Sequence, residues 1–467
     1  MEEGDLMFAA LQGKLYDKSQ IDESKRLFSN TDLRMLLIPL VIEQLLNSLM
    51  GMTDSLMVSN VGSAAISAVS LVDSINNLVI QVFSAMATGG TIICSQYLGR
   101  GDEKSCNKAA RQVVLAMLVI SSTLMIICIG SRGWLLSTIF GKVEADVMAN
   151  AMSYFFITVL SYPFLALFNA GSAFYRASGD SKFPMKIAII ANVFNIVGNT
   201  IFIFGLHMGV AGAALSTLLS RIFCTVVVFY FLHKPKQPIV IRDYLKIRPD
   251  FPLIGKVLAI GVPAGIENGM FQFGKLAIQS TVSALGTVAI AAQAMTNILE
   301  SVNGIVGIGI GIGLMTVVGQ CMGAGRKEEA KYYIVKLTAY AEVGIILSCL
   351  LVFALTKPVT LLGGMEAESA RMCFEMMIAI TIVKPICWVL SFIPAYGMRA
   401  AGDVKFSMVV ATLTMWLCRV ALAVYLCRVW GFGPIAVWIG MFADWTVRSI
   451  IFTTRFLSGK WAEKQIV

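Results

Sequence analysis

Long apolar runs separated by short polar segments repeat along almost the whole chain. Each run has roughly 20 residues or more, which is the length that an α-helix needs to cross a bilayer. The sequence predicts twelve such spans, over residues 35–58, 64–98, 107–131, 147–175, 184–206, 210–232, 253–283, 287–322, 329–355, 369–398, 405–428 and 433–457. The pattern therefore predicts an all-α integral membrane protein with twelve transmembrane helices.

Composition agrees with the pattern. The chain has 467 residues, of which 57% are hydrophobic and 14% are charged, and its mean hydropathy is +0.77. A soluble globular protein has about 25% charged residues, so we expect the lipid bilayer to be a partner of this chain. The net charge of +9 would suggest nucleic acid in a soluble protein. In a membrane protein it indicates basic cytoplasmic loops, so we expect no nucleic-acid partner.

Lysine and arginine set the orientation. If the N-terminus lies inside, the even-numbered connections are rich in basic residues and face the cytoplasm. The odd-numbered connections then hold few, namely Arg132, Lys142, Lys357, Arg371 and Arg428. We therefore expect a multi-pass protein of the plasma (cell inner) membrane with both termini in the cytoplasm.

The chain repeats itself. "IPLVIEQ" at Ile38 corresponds to "VPAGIEN" at Val262, and "RASGDSKFPM" at Arg176 corresponds to "RAAGDVKFSM" at Arg399. Because each half has six spans, the halves form a parallel, pseudo-symmetric repeat of two six-helix bundles, as in transporters that bind substrate near the repeat interface and rock one bundle against the other. The predicted parts are a cytoplasmic tail 1–34, an N-lobe 35–232, a cytoplasmic linker 233–252, a C-lobe 253–457 and a C-terminal tail 458–467.

Two acids stand out in the first span. Glu43 and Asp54 are eleven residues apart, so they lie within about 20° of one face and about 16 Å apart along the helix axis,. A charge at the centre of a membrane helix costs at least about 2.5–3.5 kcal/mol. Facing a wet cavity, each acid can take up a proton or meet a cation. The alternative is that the acids only satisfy polar groups between helices.

Other polar side chains inside the spans are candidates for a cavity or for helix packing. Hydrogen-bonded packing is the favoured interpretation for the asparagines. Lys384 in span ten and Arg419 in span eleven could each neutralise an acid or recognise an anionic group, and both interpretations stay open. Asp444 and Arg448 are four residues apart, which predicts a structural pair. The candidates are Asn47, Asp73, Asn77, Gln81, Asn192, Asn195, Asn199, Glu267, Lys275, Asn297, Glu300, Lys384 and Arg419.

Catalytic and metal chemistry find little support in the sequence. The chain has two histidines, His207 and His233, and its ten cysteines form no CxxC pair or Cys/His cluster. A convergent set of nucleophile, base or metal ligands is not visible. We therefore expect neither an enzyme nor a cofactor.

Several segments together resemble the multidrug and toxic compound extrusion (MATE) transporters. They are "GMTDSLMVSNVGSAAISAVS", "SQYLGRGD", "YRASGDSKFPMKIAIIANVFNIVGN" and "MGVAGAALSTLLSR", and they occur in the family's order. The resemblance implies a V-shaped pair of six-helix lobes that exports organic cations and other amphipathic compounds in exchange for H⁺ or Na⁺. It implies that Asp54 is the coupling acid of the first helix and that Asn195 is the polar residue of the fifth. We expect a monomer.

The sequence departs from the family pattern at two places. One branch has an acid four positions after the polar residue of the fifth helix, where this chain has Asn199, so Glu43 is the candidate for a second carboxylate. A sodium-linked branch has acids on helices seven and ten. This chain offers Glu267 on the seventh span, but Trp388 near the expected position on the tenth. We therefore predict cation coupling in the N-lobe, with Glu267 as a second candidate, and leave the ion open between H⁺ and Na⁺.

The leading hypothesis is a secondary active transporter, an antiporter that exports organic cations and drugs by alternating access. A lipid-linked glycan flippase is the alternative, because the wider superfamily shares the repeat. A flippase cavity for pyrophosphate should be strongly cationic, which Arg419, Lys384 and Lys275 support and the acids in the spans count against. A channel or a membrane enzyme has the least support.

Overall fold

The computed structural model describes residues 15–141, 143–464 and 466. Residues 1–14 of the predicted cytoplasmic tail therefore lie outside the described residues, as do Lys142 of the predicted external connections and residues 465 and 467 of the predicted C-terminal tail.

Helices account for nearly all of the described chain, in the order and places that the apolar runs predict. We label the helical spans α1 to α12. They are Asn30–Ser59 (α1), Ser63–Gly99 (α2), Glu103–Phe140 (α3), Ala145–Leu160 with Tyr162–Ala177 (α4), Lys182–Gly205 (α5), Gly209–Leu232 (α6), Phe251–Ser283 (α7), Thr287–Gly323 (α8), Lys327–Leu362 (α9), Ala367–Ala400 (α10), Val404–Arg428 (α11) and Ile435–Leu457 (α12).

Length and hydropathy support the membrane interpretation. Among the described residues, ten of these helices are long and apolar enough to cross a bilayer, and the bent pair that forms α4 makes an eleventh candidate. The remaining helix, α7, has 33 residues and is therefore long enough for a crossing,. It is less apolar than the other spans and is not one of the ten, so hydropathy alone does not establish the twelfth predicted span.

Three spans depart from regular α-helix. The predicted fourth span bends by 43° where Leu160 gives way to Tyr162. Pro163 follows in the first turn of the second segment, where its missing N–H is tolerated. Wide π-helical turns end α5 at Thr200–Gly205 and interrupt α11 at Met415–Ala421. Such turns are rare and often lie at functional sites.

The chain divides into two compact units whose boundaries fall inside helices. Among the described residues, those from 42 to 268 form one unit, here called the N-terminal unit, and those up to 41 together with those from 269 onward form the C-terminal unit. The boundaries lie within α1 and within α7, whereas the lobes predicted from the sequence, 35–232 and 253–457, begin at the starts of these helices. In the C-terminal unit the first part of α1 packs on α8, where a Cβ at Gly309 would collide with Val41.

The linker after α6 is tied to the start of α3 within the N-terminal unit. Asn107 accepts from the backbone N–H of Val240 at 2.7 Å, and the Gln112 side chain donates to the Arg248 carbonyl at 2.9 Å. Lys108 pairs with Asp250 at 2.5 Å. That ammonium group and the Leu253 N–H hold the pKa of Asp250 below its ordinary value. The basic, proline-rich linker is therefore held against the start of α3 by hydrogen bonds and an ion pair.

Candidate cation and substrate sites

The N-terminal unit brings Asp54 together with the fifth-helix asparagines. Asn199 Nδ2 donates to Asp54 Oδ1 at 2.6 Å and lies 3.2 Å from Asn195 Oδ1. Asn195 Nδ2 in turn reaches the Thr217 hydroxyl on α6 at 3.4 Å. Asn199 is the last residue of regular helix before the π-helical turn of α5. The predicted residues Asp54, Asn195 and Asn199 therefore form one cluster.

The chemistry of this cluster suits a small hard cation. Asp54 is half-buried, and Asn195 and Asn199 are fully buried. Asn199 Oδ1 is a buried oxygen with no hydrogen-bond donor among the described residues. A carboxylate and amide oxygens are ligands that hard metal cations prefer. The carboxylate alone can also take a proton.

A second acid, Asp73 of α2, lies in a hydrogen-bonded network close by. Asp73 Oδ1 is 3.3 Å from both the Tyr154 hydroxyl and Asn76 Nδ2. Asn76 Oδ1 accepts from the Tyr162 hydroxyl at 2.8 Å. The network joins α2 to both segments of α4, which is the hydrogen-bonded helix packing that the sequence predicts for asparagine in a span.

Arg221 of α6 places a positively charged side chain near Asp54 and Asp73. Its Nη1 donates to the Ser161 hydroxyl at the bend of α4, at 2.6 Å. The guanidinium interacts electrostatically with both Asp54 and Asp73. When all three groups are ionised, two carboxylates face one base, which leaves one negative charge to be compensated.

Glu43 lies elsewhere, although it shares a helix face with Asp54. Its Oε1 accepts from Arg176 Nη2 at 2.5 Å, and the Glu43 residue is only 3% exposed. Arg176 belongs to the "RASGD" motif at the end of α4. The carboxylate predicted as the second ligand of a cation is thus engaged in a buried ion pair.

The C-terminal unit contains two buried groups of charges. In the first, Lys384 of α10 donates to Glu300 Oε1 of α8 at 2.6 Å and to the Glu300 carbonyl at 3.0 Å. It also hydrogen-bonds to Asn303. Lys384 is completely buried. Two roles were left open for Lys384, and its contacts are those of a base that neutralises an acid, Glu300.

In the second group, two arginines share one acid. Asp444 of α12 accepts from Arg419 Nη2 at 2.8 Å and from Arg448 Nη2 at 2.9 Å. The predicted pair of Asp444 and Arg448 is therefore present, and Arg419 joins it from the π-helical turn of α11. All three side chains are at most 3% exposed.

The remaining candidates are spread over both units. Asn47, Asn77 and Asn297 are exposed, and Gln81 and Asn192 are half-buried. The Asn192 side chain donates to the Ala188 carbonyl of its own helix, and Asn297 accepts from Gln293. Glu267 is 9% exposed, and Lys275 is exposed.

Arg221, Tyr154 and Thr217 interact with site residues and were not among the sequence candidates. Arg221 had a signal, because a charge inside a span is a functional candidate by default. Tyr154 and Thr217 had none, since a hydroxyl in an apolar helix is common and its partner depends on helix rotation.

The fold and its buried charged sites define a membrane transporter built from an internal repeat. The MatE family model matches residues 39–201 and again residues 263–425, which together exceed half of the chain. The two matches have the spacing of the repeat found in the sequence. The chain belongs to this family, the MATE transporters.

Relatives and structures of known proteins agree with that assignment. The chain is 28% identical over 453 residues to the uncharacterized transporter YisQ of Bacillus subtilis, covering 96% of this chain and 97% of the relative. It is 25% identical over 448 residues to the probable multidrug resistance protein NorM of Thermotoga maritima, covering 93% and 94%. An outward-facing multidrug resistance MATE transporter of the MOP superfamily matches its fold with a TM-score of 0.86, at 18% identity, over 96% and 98% of the two chains.

Proposed function

We propose that this chain exports organic cations and other amphipathic compounds, drugs among them, in exchange for an H⁺ or Na⁺ that binds at Asp54. Family membership supports the class of activity, and the name of the Thermotoga relative supports drugs as substrates. The exchange is an antiport by alternating access. The protein works as a monomer in the plasma membrane, with both termini in the cytoplasm.

The observation that carries the coupling site is the contact between Asp54 and Asn199. An acid in an apolar span needs a strong compensating interaction, since uncompensated charge at membrane depth is costly. The 2.6 Å hydrogen bond from one amide supplies part of it. Arg221 balances only one of the two acids near it. A monovalent cation at Asp54, whether H⁺ or Na⁺, would complete the balance.

Binding of that cation would change what Asp54 can do for the transported compound. An ionised, vacant Asp54 attracts an organic cation by charge. When H⁺ or Na⁺ neutralises Asp54, this attraction is lost and the organic cation is released. If the protein changes sides only with one of the two ligands bound, mutually exclusive use of this carboxylate couples the two fluxes.

The first prediction concerns Asp54→Asn. This substitution keeps the shape and a hydrogen-bonding group but removes the charge that binds a cation, so we expect export of a cationic dye to lose its response to a gradient. The measurement is dye export from proteoliposomes under a proton gradient alone and a sodium gradient alone. The gradient that drives the unmodified protein identifies the ion.

Asp146→Asn is the matched control, because Asp146 is an exposed acid in the first turn of α4 with the same chemistry. We expect it to leave export unchanged. Full gradient-driven export by Asp54→Asn would exclude Asp54 as the coupling site. Dye flux that needs no gradient and passes downhill at channel rates would exclude antiport altogether.

A further inference from the structure

The C-terminal unit has more positive than negative charge in one cluster of side chains. Four bases and two acids meet there: Lys275 of α7, Glu300 of α8, Lys384 of α10, Arg419 of α11, and Asp444 and Arg448 of α12. Glu342 of α9 is another acid of these spans, and it forms no ion pair with any of the four bases among the described residues. The cluster therefore has a net charge of +2 when all its members are ionised.

The ion pairs use up both acids. Glu300 is the partner of Lys384, at 2.6 Å. Asp444 serves Arg419 and Arg448 together, at 2.8 and 2.9 Å. One acid cannot neutralise two guanidinium groups, so one positive charge is left over on this pair of arginines.

Lys275 is the second base without a matching acid. Its Nζ lies 4.8 Å from the ring centre of Phe271, one turn earlier on α7, and makes no hydrogen bond or ion pair within the described part of the chain. Its electrostatic neighbours are Glu300, which already holds Lys384, and Arg419, which repels it. A cation over a phenylalanine ring is a weak substitute for a counter-ion.

The two surplus charges lie near one aromatic ring, that of Phe271. Arg419 lies 5.0 Å from the centre of the same Phe271 ring that Lys275 contacts. The Lys275 residue is exposed while Arg419 is buried, so Lys275 is the more accessible of the two. Three buried donors, Arg419 Nε and Arg448 Nε of the cluster and Asn303 Nδ2 beside Lys384, have no acceptor among the described residues. The cluster is short of acceptors as well as of negative charge.

We propose that Lys275 and Arg419 form a subsite for an anionic group, a carboxylate or a phosphate, on the transported compound. The proposal rests on the export function proposed above and narrows its substrates to amphipathic compounds that carry a negative group. Such a group supplies both the missing charge and the missing acceptors. Charge-assisted hydrogen bonds from lysine and arginine to oxyanions are among the strong ones in proteins.

The test uses two rhodamine dyes that differ in one group, a dye with a free carboxylate and its methyl ester. Binding of each dye is measured by fluorescence polarisation on the detergent-solubilised full chain, without any gradient. We expect the unmodified protein to prefer the carboxylate. We expect Lys275→Met to weaken carboxylate binding about tenfold, in line with the loss of one hydrogen bond to a charged group, and to leave the ester nearly unchanged.

Two further variants separate a binding role from a structural one. Lys275→Arg keeps the charge and should restore most of the preference. Lys357→Met is the matched control, because Lys357 is also exposed and also lies 4.8 Å from a phenylalanine ring, that of Phe374, but outside the cluster. Equal affinity of the unmodified protein for both dyes, or equal losses for both dyes in Lys275→Met, would overturn the proposal.

The anionic group could belong to a soluble compound or to a lipid headgroup, and a second arm distinguishes them. The same binding measurement is made in vesicles of phosphatidylcholine with and without phosphatidylglycerol. Competition by phosphatidylglycerol that disappears in Lys275→Met assigns the subsite to lipid phosphate, whereas carboxylate preference without competition assigns it to a soluble compound.

The outcome is independent of the coupling hypothesis. Carboxylate binding through Lys275 without gradient-driven export would sink the exporter and keep the subsite. Gradient-driven export that depends on Asp54, with no preference between the two dyes, would keep the exporter and sink the subsite.

Discussion

At the scale of single residues, two acids on one helix face have different partners. Asp54 meets a neutral amide at 2.6 Å, while Glu43 meets the guanidinium of Arg176 at 2.5 Å. A carboxylate beside an amide can still gain a cation or a proton. A buried carboxylate that already has a base is compensated, so the geometry assigns structural work to Glu43.

The second prediction tests this assignment. Arg176→Met leaves the Glu43 carboxylate buried without a base, and removing one partner of a buried pair costs about 3–5 kcal/mol. We expect a clear fall in the melting temperature of the detergent-solubilised protein. The double variant Glu43→Gln with Arg176→Met removes both charges and should recover part of that loss.

A double variant as unstable as Arg176→Met alone would contradict the ion-pair explanation. Glu43→Gln by itself also separates the roles. If Glu43 is structural, this variant loses stability but keeps the cation dependence of export, and loss of the cation dependence would make Glu43 a coupling residue after all.

At the scale of elements, the segment before α1 is fastened to the start of α9 within the C-terminal unit. The Tyr333 hydroxyl donates to the Phe28 carbonyl at 2.6 Å and accepts from the Phe28 N–H at 3.1 Å. Arg26 stacks on the Tyr332 ring, 4.6 Å from its centre. The Leu27 N–H donates to Glu329 at 2.6 Å. Residues 15–29 of the predicted cytoplasmic tail, here called the strap, are thus held against α9 by these contacts.

The third prediction concerns Tyr333→Phe. This change deletes both hydrogen bonds to Phe28 while keeping the buried ring, so the strap should lose about 1–3 kcal/mol of local stability. Hydrogen exchange of residues 15–29 is the measurement, and we expect it to become faster. Tyr340→Phe is the control, because Tyr340 is an exposed tyrosine of the same helix. Unchanged exchange in Tyr333→Phe would show that packing alone holds the strap.

At the scale of the whole molecule, the compact units do not coincide with the two halves of the sequence. The first part of α1 belongs to the C-terminal unit, and the first part of α7 belongs to the N-terminal unit. Described residues 15–41 belong to the unit that begins again at residue 269, and residues 251–268 belong to the unit that begins at residue 42. The order of the repeats along the chain therefore does not coincide with the order of compact units. The separation lies within α1 and α7 rather than in the linker.

The fourth prediction follows from this exchange. If the chain is cut between Gln237 and Pro238, each fragment lacks a piece that its unit needs and carries a piece that belongs to the other unit. Expressed alone, each fragment should be degraded or aggregate. Expressed together, they should co-purify through a tag on one of them. A single fragment that is as thermally stable as the intact protein would refute the exchange.

The sequence alone determined the architecture and half of the site. Twelve apolar runs, an internal repeat and basic even-numbered connections need no tertiary information, because helix length and hydropathy are local properties of the chain. For the same reason the sequence singled out Asp54, Asn195 and Asn199, since polar residues in apolar spans are visible one by one.

Only the tertiary structure decided which of these residues meet. Pairing depends on the rotation and depth of each helix, and the bend of α4 and the π-helical turns of α5 and α11 shift that rotation in ways that apolar periodicity does not record. In the folded chain Asp54 is hydrogen-bonded to an amide, Glu43 is paired with an arginine, and Lys275 lies near an aromatic ring. Charges separated by long stretches of chain acquire their roles from distance, and distance is a property of the folded molecule.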